Sequence, residues 1–236
     1  MRRQSASEGV FEQLVDRLLS GEVSPGQELP AERVLTEALG VNRQAVREAL
    51  KRLAQAGLVR IHQGEPTRAL DYRRSANLDL LSRLLFTPQG RPDARVIRSI
   101  MEMRASIGPD AARQAARRAS AQARHDIVSI AREMQDTDEL DSLASHDLRF
   151  WETIIDASDN IAYRLAFNSL RETYEPMSSA LSPLFASELS ASGLRVTLAG
   201  HINEDRSDEA RDTASQLLAL GTAAMNEAFA SFETKE

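Results

Sequence analysis

The chain contains no cysteine and a single tryptophan among its 236 residues. The lack of cysteine excludes disulfides and thiolate catalysis, and it leaves only histidine and carboxylate side chains as metal ligands. No apolar run approaches the length of a membrane span, and the opening residues are polar without the apolar core of a signal peptide. We therefore expect a cytoplasmic protein that does not associate with a membrane.

The net charge of −6 is unevenly distributed along the chain. Residues 1–72 carry ten Lys and Arg against ten Asp and Glu, so the acidic excess lies entirely in the remainder. The length allows two modest domains, each with its own core. We place them at residues 1–72 and 73–236, the first able to bind DNA through a local basic surface and the second repelled by phosphates.

The stretch 29–64 predicts two helices, a tight turn between them, and a hairpin. Gly40 ends the first helix, and Asn42 is a suitable N-cap for the second. The first helix has an apolar face at helical spacing, formed by Val34, Leu35, Ala38 and Leu39. The second has a buried stripe, formed by Val46, Ala49, Leu50 and Leu53. This pattern is typical of a helix-turn-helix.

The second helix also carries side chains suited to reading DNA. Arg43, Arg47 and Lys51 recur every four residues on one face. Asn42, Arg43 and Gln44 lie at the helix N-terminus, where a recognition helix points at base edges, and their side chains are those that pair with guanine and adenine. A charged stripe alone is more typical of a solvated helix face than of a DNA-reading one. The turn, the cap and the hairpin favour DNA recognition.

The hairpin is predicted from an alternating run, Leu58–His62, a turn at Gln63–Pro66, and a return segment, Thr67–Leu70. With it, the chain resembles the winged helix-turn-helix domain of the GntR family of bacterial transcription regulators. The matching residues are Gly21, Pro25–Gly26, Leu29–Arg33, Leu39–Val41, Arg43, Val46–Leu50, Leu53 and Gly57–Leu58.

The wing sequence Gly64–Thr67 resembles the fatty-acid-responsive FadR branch of that family. The resemblance implies that Arg33, Arg43 and Arg47 contact DNA, together with the wing-tip residues Gln63 and Gly64. The chain departs from the branch at Gln63, where the branch has a histidine.

From residue 75 onward the patterns predict only helices, at 75–86, 93–118, 121–136, 139–157, 159–181, 185–203 and 206–232. We expect a mainly α protein in which the wing domain, with three helices and a small β-hairpin, precedes an all-α antiparallel bundle of about seven helices. Pro109 and Pro176 should kink or interrupt their helices. The bundle resembles the effector domain of the FadR subfamily through Glu102-x-Arg104, Asp147-x-x-Phe150 and Asn160.

Many such effector domains bind a metal through Asp-x-x-x-His and two later histidines. Here Asp147 is followed one turn later by Trp151, and His201 matches one later histidine, but residues 216–220 offer no ligand. We therefore expect no metal and no other cofactor. The resemblance to the metal-free branch implies a long-chain acyl-coenzyme A effector.

The candidate effector-binding residues are Arg104, Asp147, Phe150, Trp151, Tyr163, Tyr174 and His201. Each has a structural alternative. Arg104 could pair with Asp147 or with neighbours of Glu102, and His201 could form a buried pair with Asp147. The aromatic residues could be plain core, including an apolar stripe that we place on one helix: Tyr163, Phe167, Leu170, Tyr174, Met177 and Leu181.

The sequence thus predicts a homodimeric regulator that binds a palindromic double-stranded DNA operator and releases it on binding acyl-coenzyme A, controlling genes of fatty acid metabolism. The alternative is a metal-independent repressor that senses a small organic acid. A purely architectural DNA-binding protein would not need the long helical domain. No phosphate-binding loop or nucleophile motif is present, so we expect no catalytic residues and no enzyme activity.

Overall fold

The computed structural model of the chain describes residues 5–87 and 89–233. These residues form two compact units, Met1–Asp93 and Ala94–Glu236. The division falls later than residue 72 because the connecting segment packs into the first unit. Leu80 is buried in the apolar cluster of that unit, and the Arg83 guanidinium lies 2.7 Å from the Glu12 carboxylate.

The first unit contains the predicted three helices and hairpin. Its elements are α1 (Ala6–Leu19), α2 (Glu32–Leu39), α3 (Arg43–Gln55), β1 (Val59–Arg60), β2 (Arg68–Ala69), α4 (Tyr72–Ser75), a 3-10 turn (Leu78–Leu80) and α5 (Leu81–Leu84). The single helix expected over 75–86 is wrong. The backbone is extended at Ala76 and Asn77, and this break precedes the turn that carries the buried Leu80.

The core of the first unit forms between α1 and α3. The expected stripe of α3 is confirmed, since Val46, Ala49, Leu50 and Leu53 are all buried. The expected face of α2 is only partly correct. Leu35 is buried and Leu39 partly so, whereas Val34 and Ala38 are exposed. The short α2 therefore rests on the core by a narrow edge.

The wing is a two-stranded antiparallel sheet in which Val59 is opposite Ala69 and Arg60 is opposite Arg68. A third segment extends it, because Glu28 forms a bridge to Arg68 on the other edge of β2. This bridge ties the segment before α2 to the wing.

Within its described residues, the second unit contains helices and the turns that join them, and no strand. Its elements are α6 (Ala94–Arg118), α7 (Ala121–Gln135), α8 (Leu140–Ala157), α9 (Ile161–Tyr174), a 3-10 turn (Glu175–Met177), α10 (Ser178–Leu181), α11 (Ala186–Leu189), α12 (Ser192–Asn203) and α13 (Ser207–Glu233). Two expected helices, 159–181 and 185–203, are each divided. The chain leaves α9 just before Pro176, while Pro109 lies inside an uninterrupted α6.

The core of the second unit is made by close packing of α6 against α13 and of α7 against α12. Small side chains permit the approach, since Ala111, Ala112, Ala115 and Ala116 are fully buried on α6. A Cβ at Gly108 would lie 2.5 Å from the Leu218 Cδ1 atom of α13 and 3.4 Å from the Trp151 ring. Gly108 therefore makes room for both. No helix within the described ranges is long and apolar enough to cross a membrane.

Candidate nucleic-acid interface and ligand site

The start of α3 presents the side chains expected to read DNA. The Asn42 side-chain oxygen accepts a hydrogen bond from the Ala45 backbone N–H at 2.8 Å, so this residue caps the helix as expected. The following side chains on α3 are exposed: Arg43, Gln44, Arg47 and Lys51. The cap fixes the direction of the helix from which these side chains project.

Three of the side chains expected to contact DNA bind glutamates in the DNA-free chain. Arg33 lies 2.7 Å from Glu37, and Arg47 lies 3.5 Å from Glu32. Gln44 donates a hydrogen bond of 2.9 Å to Glu48. Exposed ion pairs of this kind contribute only about 0–1 kcal/mol each. Phosphates or base edges can therefore replace the glutamates at little cost.

The tip of the wing turns at Gly64, whose φ of +81° is a left-handed conformation that favours glycine. Gln63 and Gly64 are both exposed. Behind the tip, the Arg68 guanidinium on β2 binds the Glu28 carboxylate at 2.5 Å and the Gly26 carbonyl at 3.2 Å. These bonds hold the base of the wing and leave its tip accessible.

In the second unit, four charged side chains from four helices form two ion pairs. Arg104 of α6 binds both carboxylate oxygens of Glu188 on α11, at 2.7 and 3.4 Å. Arg195 of α12 binds the Asp147 carboxylate of α8 at 2.6 and 3.0 Å. We call these four residues the charged cluster. The expected alternatives for Arg104, pairing with Asp147 or with neighbours of Glu102, are both wrong, because Glu188 is its partner.

Arg195 has no exposed side-chain surface. Besides Asp147, its guanidinium donates to the backbone carbonyls of Glu188 at 2.5 Å and Leu189 at 3.2 Å. A buried cation needs this full set of partners, since an unpaired one would be strongly destabilising. Arg195 thereby joins α12 to α8 and to the end of α11.

Sequence reasoning missed both Glu188 and Arg195. Arg195 does leave a signal, because Leu198, Ala199 and Ile202 follow it at i+3, i+4 and i+7, so a charged residue occupies a position of the buried stripe of α12. Glu188 lies on a helix of four residues, too short to show any periodicity.

Aromatic side chains border the charged cluster. The Arg104 guanidinium lies 5.4 Å from the centre of the Phe185 ring, and the Tyr174 and Phe185 rings pack edge to face at 6.3 Å. Burial and then the charge of Asp147 raise the pKa of Tyr174 to about 12, so its hydroxyl stays protonated. Burial also raises the pKa of the Glu188 carboxyl above its ordinary value.

The other expected effector residues do not all meet at the charged cluster. Phe150 is fully buried and packs edge to face with Trp151 at 6.0 Å. Tyr163 donates instead to Asp110 at 2.9 Å. The pairing considered for His201 with Asp147 is wrong, because the His201 ring lies 3.2 Å from the Thr213 hydroxyl. The apolar stripe through Tyr163 and Tyr174 does not continue on one helix, since α9 ends at Tyr174.

Two positions that hold metal ligands in many related effector domains have other roles in this chain. The Asp147 carboxylate is bound by Arg195, and Trp151 follows it one turn later on α8. Among the described residues, no group of three or more His, Asp or Glu side chains could hold a metal ion. The indole N–H of Trp151 is buried and has no acceptor in the described part of the chain.

Comparison with known proteins identifies the family. A model described as bacterial regulatory proteins, gntR family, matches residues 6–68, and one described as FCD domain matches residues 99–220. The HTH-type transcriptional regulator Mce2R of Mycobacterium tuberculosis is 44% identical over 180 residues, covering 76% of this chain and 75% of that protein. The chain belongs to the GntR family.

Other relatives agree with a GntR-family regulator of the FadR subfamily. The fatty acid metabolism regulator protein of Cronobacter sakazakii is 29% identical over 175 residues, covering 74% of this chain and 71% of that protein. The solved structure of Lar from Listeria monocytogenes aligns with a TM-score of 0.61 at 18% identity, covering 96% of this chain and 99% of that one, which supports the fold alone. These relatives are regulators, and the winged helix-turn-helix followed by a helical bundle is the architecture predicted from the sequence.

Proposed function

We propose that this GntR-family regulator binds a palindromic operator as a homodimer and releases it when long-chain acyl-coenzyme A binds its second unit, controlling genes of fatty acid metabolism. The observation that carries the ligand site is the charged cluster, because buried polar groups surrounded by apolar side chains are typical of small-molecule sites. The effector class is supported by the relatives named as fatty acid metabolism regulators.

The exposed N-terminus of α3 supports the DNA-binding step of this proposal. In a dimer, two such helices enter successive major grooves of a palindrome, and each wing tip approaches the adjacent backbone. The proposed contacts are Arg33, Asn42, Arg43, Gln44, Arg47, Lys51, Gln63 and Gly64. Arginine and lysine contacts with phosphates supply much of the affinity, so binding should weaken steeply as salt rises.

Release requires that the effector bind the DNA-free and DNA-bound conformations with different affinity. The proposed contacts in the second unit are Arg104, Tyr174 and the buried indole of Trp151. An acceptor oxygen on the effector would satisfy the indole N–H, which otherwise costs about 1–3 kcal/mol. The acyl chain of the effector would pack against apolar side chains of the second unit.

A gel mobility shift with DNA from the protein's own promoter tests this function. We expect retarded DNA that is released by micromolar palmitoyl-coenzyme A but not by coenzyme A alone. Retarded DNA that resists every acyl-coenzyme A ester would contradict the effector, whereas the absence of any sequence-specific shift would contradict the regulator assignment.

A second candidate is favoured by Arg104, because an arginine guanidinium binds a carboxylate through two parallel hydrogen bonds. This candidate is a metal-independent repressor that senses a small organic acid. The same mobility shift decides between the two when it includes a panel of small carboxylates. Release by a small acid, with no response to palmitoyl-coenzyme A, would establish the second.

A further inference from the structure

The pairing of Arg104 with Glu188 has the geometry of an arginine binding an anionic ligand. Two guanidinium nitrogens face the two oxygens of one carboxylate, at 2.7 and 3.4 Å. The Glu188 side chain is 2% exposed, and its partner is 23% exposed. The Arg104 side chain is therefore partly accessible, whereas the carboxylate that it binds is not.

Charges in the cluster balance. Arg104 and Arg195 supply two positive charges, and Asp147 and Glu188 supply two negative ones. An anion added to this set would leave a buried negative charge without a partner, which is costly. An anionic group can therefore bind Arg104 at low cost only when the Glu188 carboxylate leaves.

The two carboxylates differ in how firmly they are held. Asp147 lies on the long α8 and binds the fully buried Arg195 through two nitrogens. Glu188 lies on the four-residue α11, which follows another four-residue helix, α10. Burial raises the pKa of the Glu188 carboxyl, which shows that its charged form is poorly solvated where it lies. Glu188 is thus the member of the cluster that can be exchanged.

We propose that Glu188 is an internal competitor of the effector: its carboxylate occupies Arg104 in the ligand-free chain, and a carboxylate or phosphate of the effector takes its place. This inference rests on the proposed function in assuming an anionic effector of the second unit. Displacing Glu188 breaks the ion pair between α11 and Arg104 of α6, while Arg195 still binds the terminal carbonyls of α11. Ligand binding is thereby linked to the packing of α11 against α8 and α13.

The test measures binding by calorimetry, with three probes below their micelle concentrations. Palmitoyl-coenzyme A carries phosphates and an acyl chain, coenzyme A carries phosphates alone, and palmitate carries a carboxylate on the same chain. The apparent affinity equals the intrinsic affinity multiplied by the fraction of molecules in which Arg104 is free of Glu188. In Glu188→Gln we therefore expect at least one probe to bind about tenfold more tightly than in the wild type.

Matched variants isolate the cause. Glu172→Gln removes the same charge from an exposed position on α9 and should leave binding unchanged. In Arg104→Gln/Glu188→Gln the gain should disappear, because the anion has lost its partner. Glu188→Asp keeps the charge but withdraws it by one methylene, which should tighten binding less than Glu188→Gln. If circular dichroism shows that Glu188→Gln does not fold, the affinity of Glu188→Asp tests the competitor in its place.

The outcomes separate the two proposals. Tighter binding of palmitate alone would support the competitor and overturn acyl-coenzyme A as effector. Binding of every probe with equal affinity by wild type and by both Glu188 variants would overturn the competitor, and binding of palmitoyl-coenzyme A among those probes would leave the effector standing. If no protein bound any probe, both would be overturned.

Discussion

The arginines of the two candidate sites differ in the partners that they bind. Arg33 and Arg47 are paired with exposed glutamates that solvent already screens, so they can exchange partners freely. Arg195 is wholly buried and bound by fixed groups, so it is structural. Arg104 lies between these extremes, since its partner is buried while part of its own surface is accessible.

Arg47 provides a test of DNA recognition at the residue scale. We expect Arg47→Ala to abolish specific operator binding, because a good arginine–base contact contributes about 1–3 kcal/mol and a dimer would lose two. Fluorescence anisotropy with labelled operator measures the loss, and calorimetry should show unchanged effector affinity. The control Arg98→Ala removes the same charge from an exposed site on α6. Equal operator affinity in both variants would contradict the assignment of α3.

Gly57 combines a left-handed backbone with a close approach. Its φ is +72°, and a Cβ would overlap the Ser75 carbonyl of α4. Gly21 has a similar φ of +81° but open space around it. We expect Gly57→Ala to cost about 2–3 kcal/mol of unfolding free energy, against about 1 kcal/mol for Gly21→Ala. Urea denaturation measures both free energies of unfolding. Equal losses would show that α4 moves away from the added Cβ without loss of stability.

At the scale of elements, side-chain caps start the helices that carry the proposed site residues. Asn42 caps the N-terminus of α3, Glu139 that of α8 and Asn160 that of α9, and each accepts hydrogen bonds from backbone N–H groups of the first turn. The caps at Asn42 and Asn160 orient helices whose side chains belong to the two candidate sites.

Two substitutions separate the role of Asn42 as a helix cap from its proposed role in operator binding. Asn42→Ala should cost about 1 kcal/mol of unfolding free energy, because the Ala45 N–H loses its acceptor. Asn42→Asp should keep the cap and the stability, yet weaken operator binding, because it places a negative charge near phosphates. Thermal unfolding and anisotropy measure the two effects. Loss of stability in both variants would argue against a simple capping role.

The sequence predicted the bounds of long continuous helices well, but it did not predict the breaks within 159–181 and 185–203. Helices such as 121–136 and 206–232, with continuous periodicity, are found within one residue of the expected bounds, as α7 and α13. Over 159–181 the apolar spacing continues past the break at Tyr174, so periodicity alone could not reveal it. Arg104 and Asp147 could be identified through the family resemblance, but their partners are set by packing between distant segments, which no local pattern encodes.

At the scale of the molecule, the segment after the wing belongs with the DNA-binding unit. Leu80 fills its core, Arg83 binds Glu12, and the guanidinium of Arg83 lies 5.5 Å from the centre of the Phe11 ring. A division at residue 72 would remove all of these contacts.

Truncation tests this organisation. A fragment of residues 1–93 should unfold cooperatively and be more stable than one of residues 1–72 by about 2–4 kcal/mol, because burying a leucine alone contributes about 1.5–3 kcal/mol. Circular dichroism during urea unfolding measures the difference. Equal stability of the two fragments would place the functional boundary back at residue 72.

The burial of Arg195 has a physiological consequence. A regulator whose central cation is a bound ion depends on the cell's supply of that metal, and a chelator can strip it. Here the positive charge opposite Asp147 is synthesised as part of every chain. The charge opposite Asp147 therefore does not depend on a supply of metal ions.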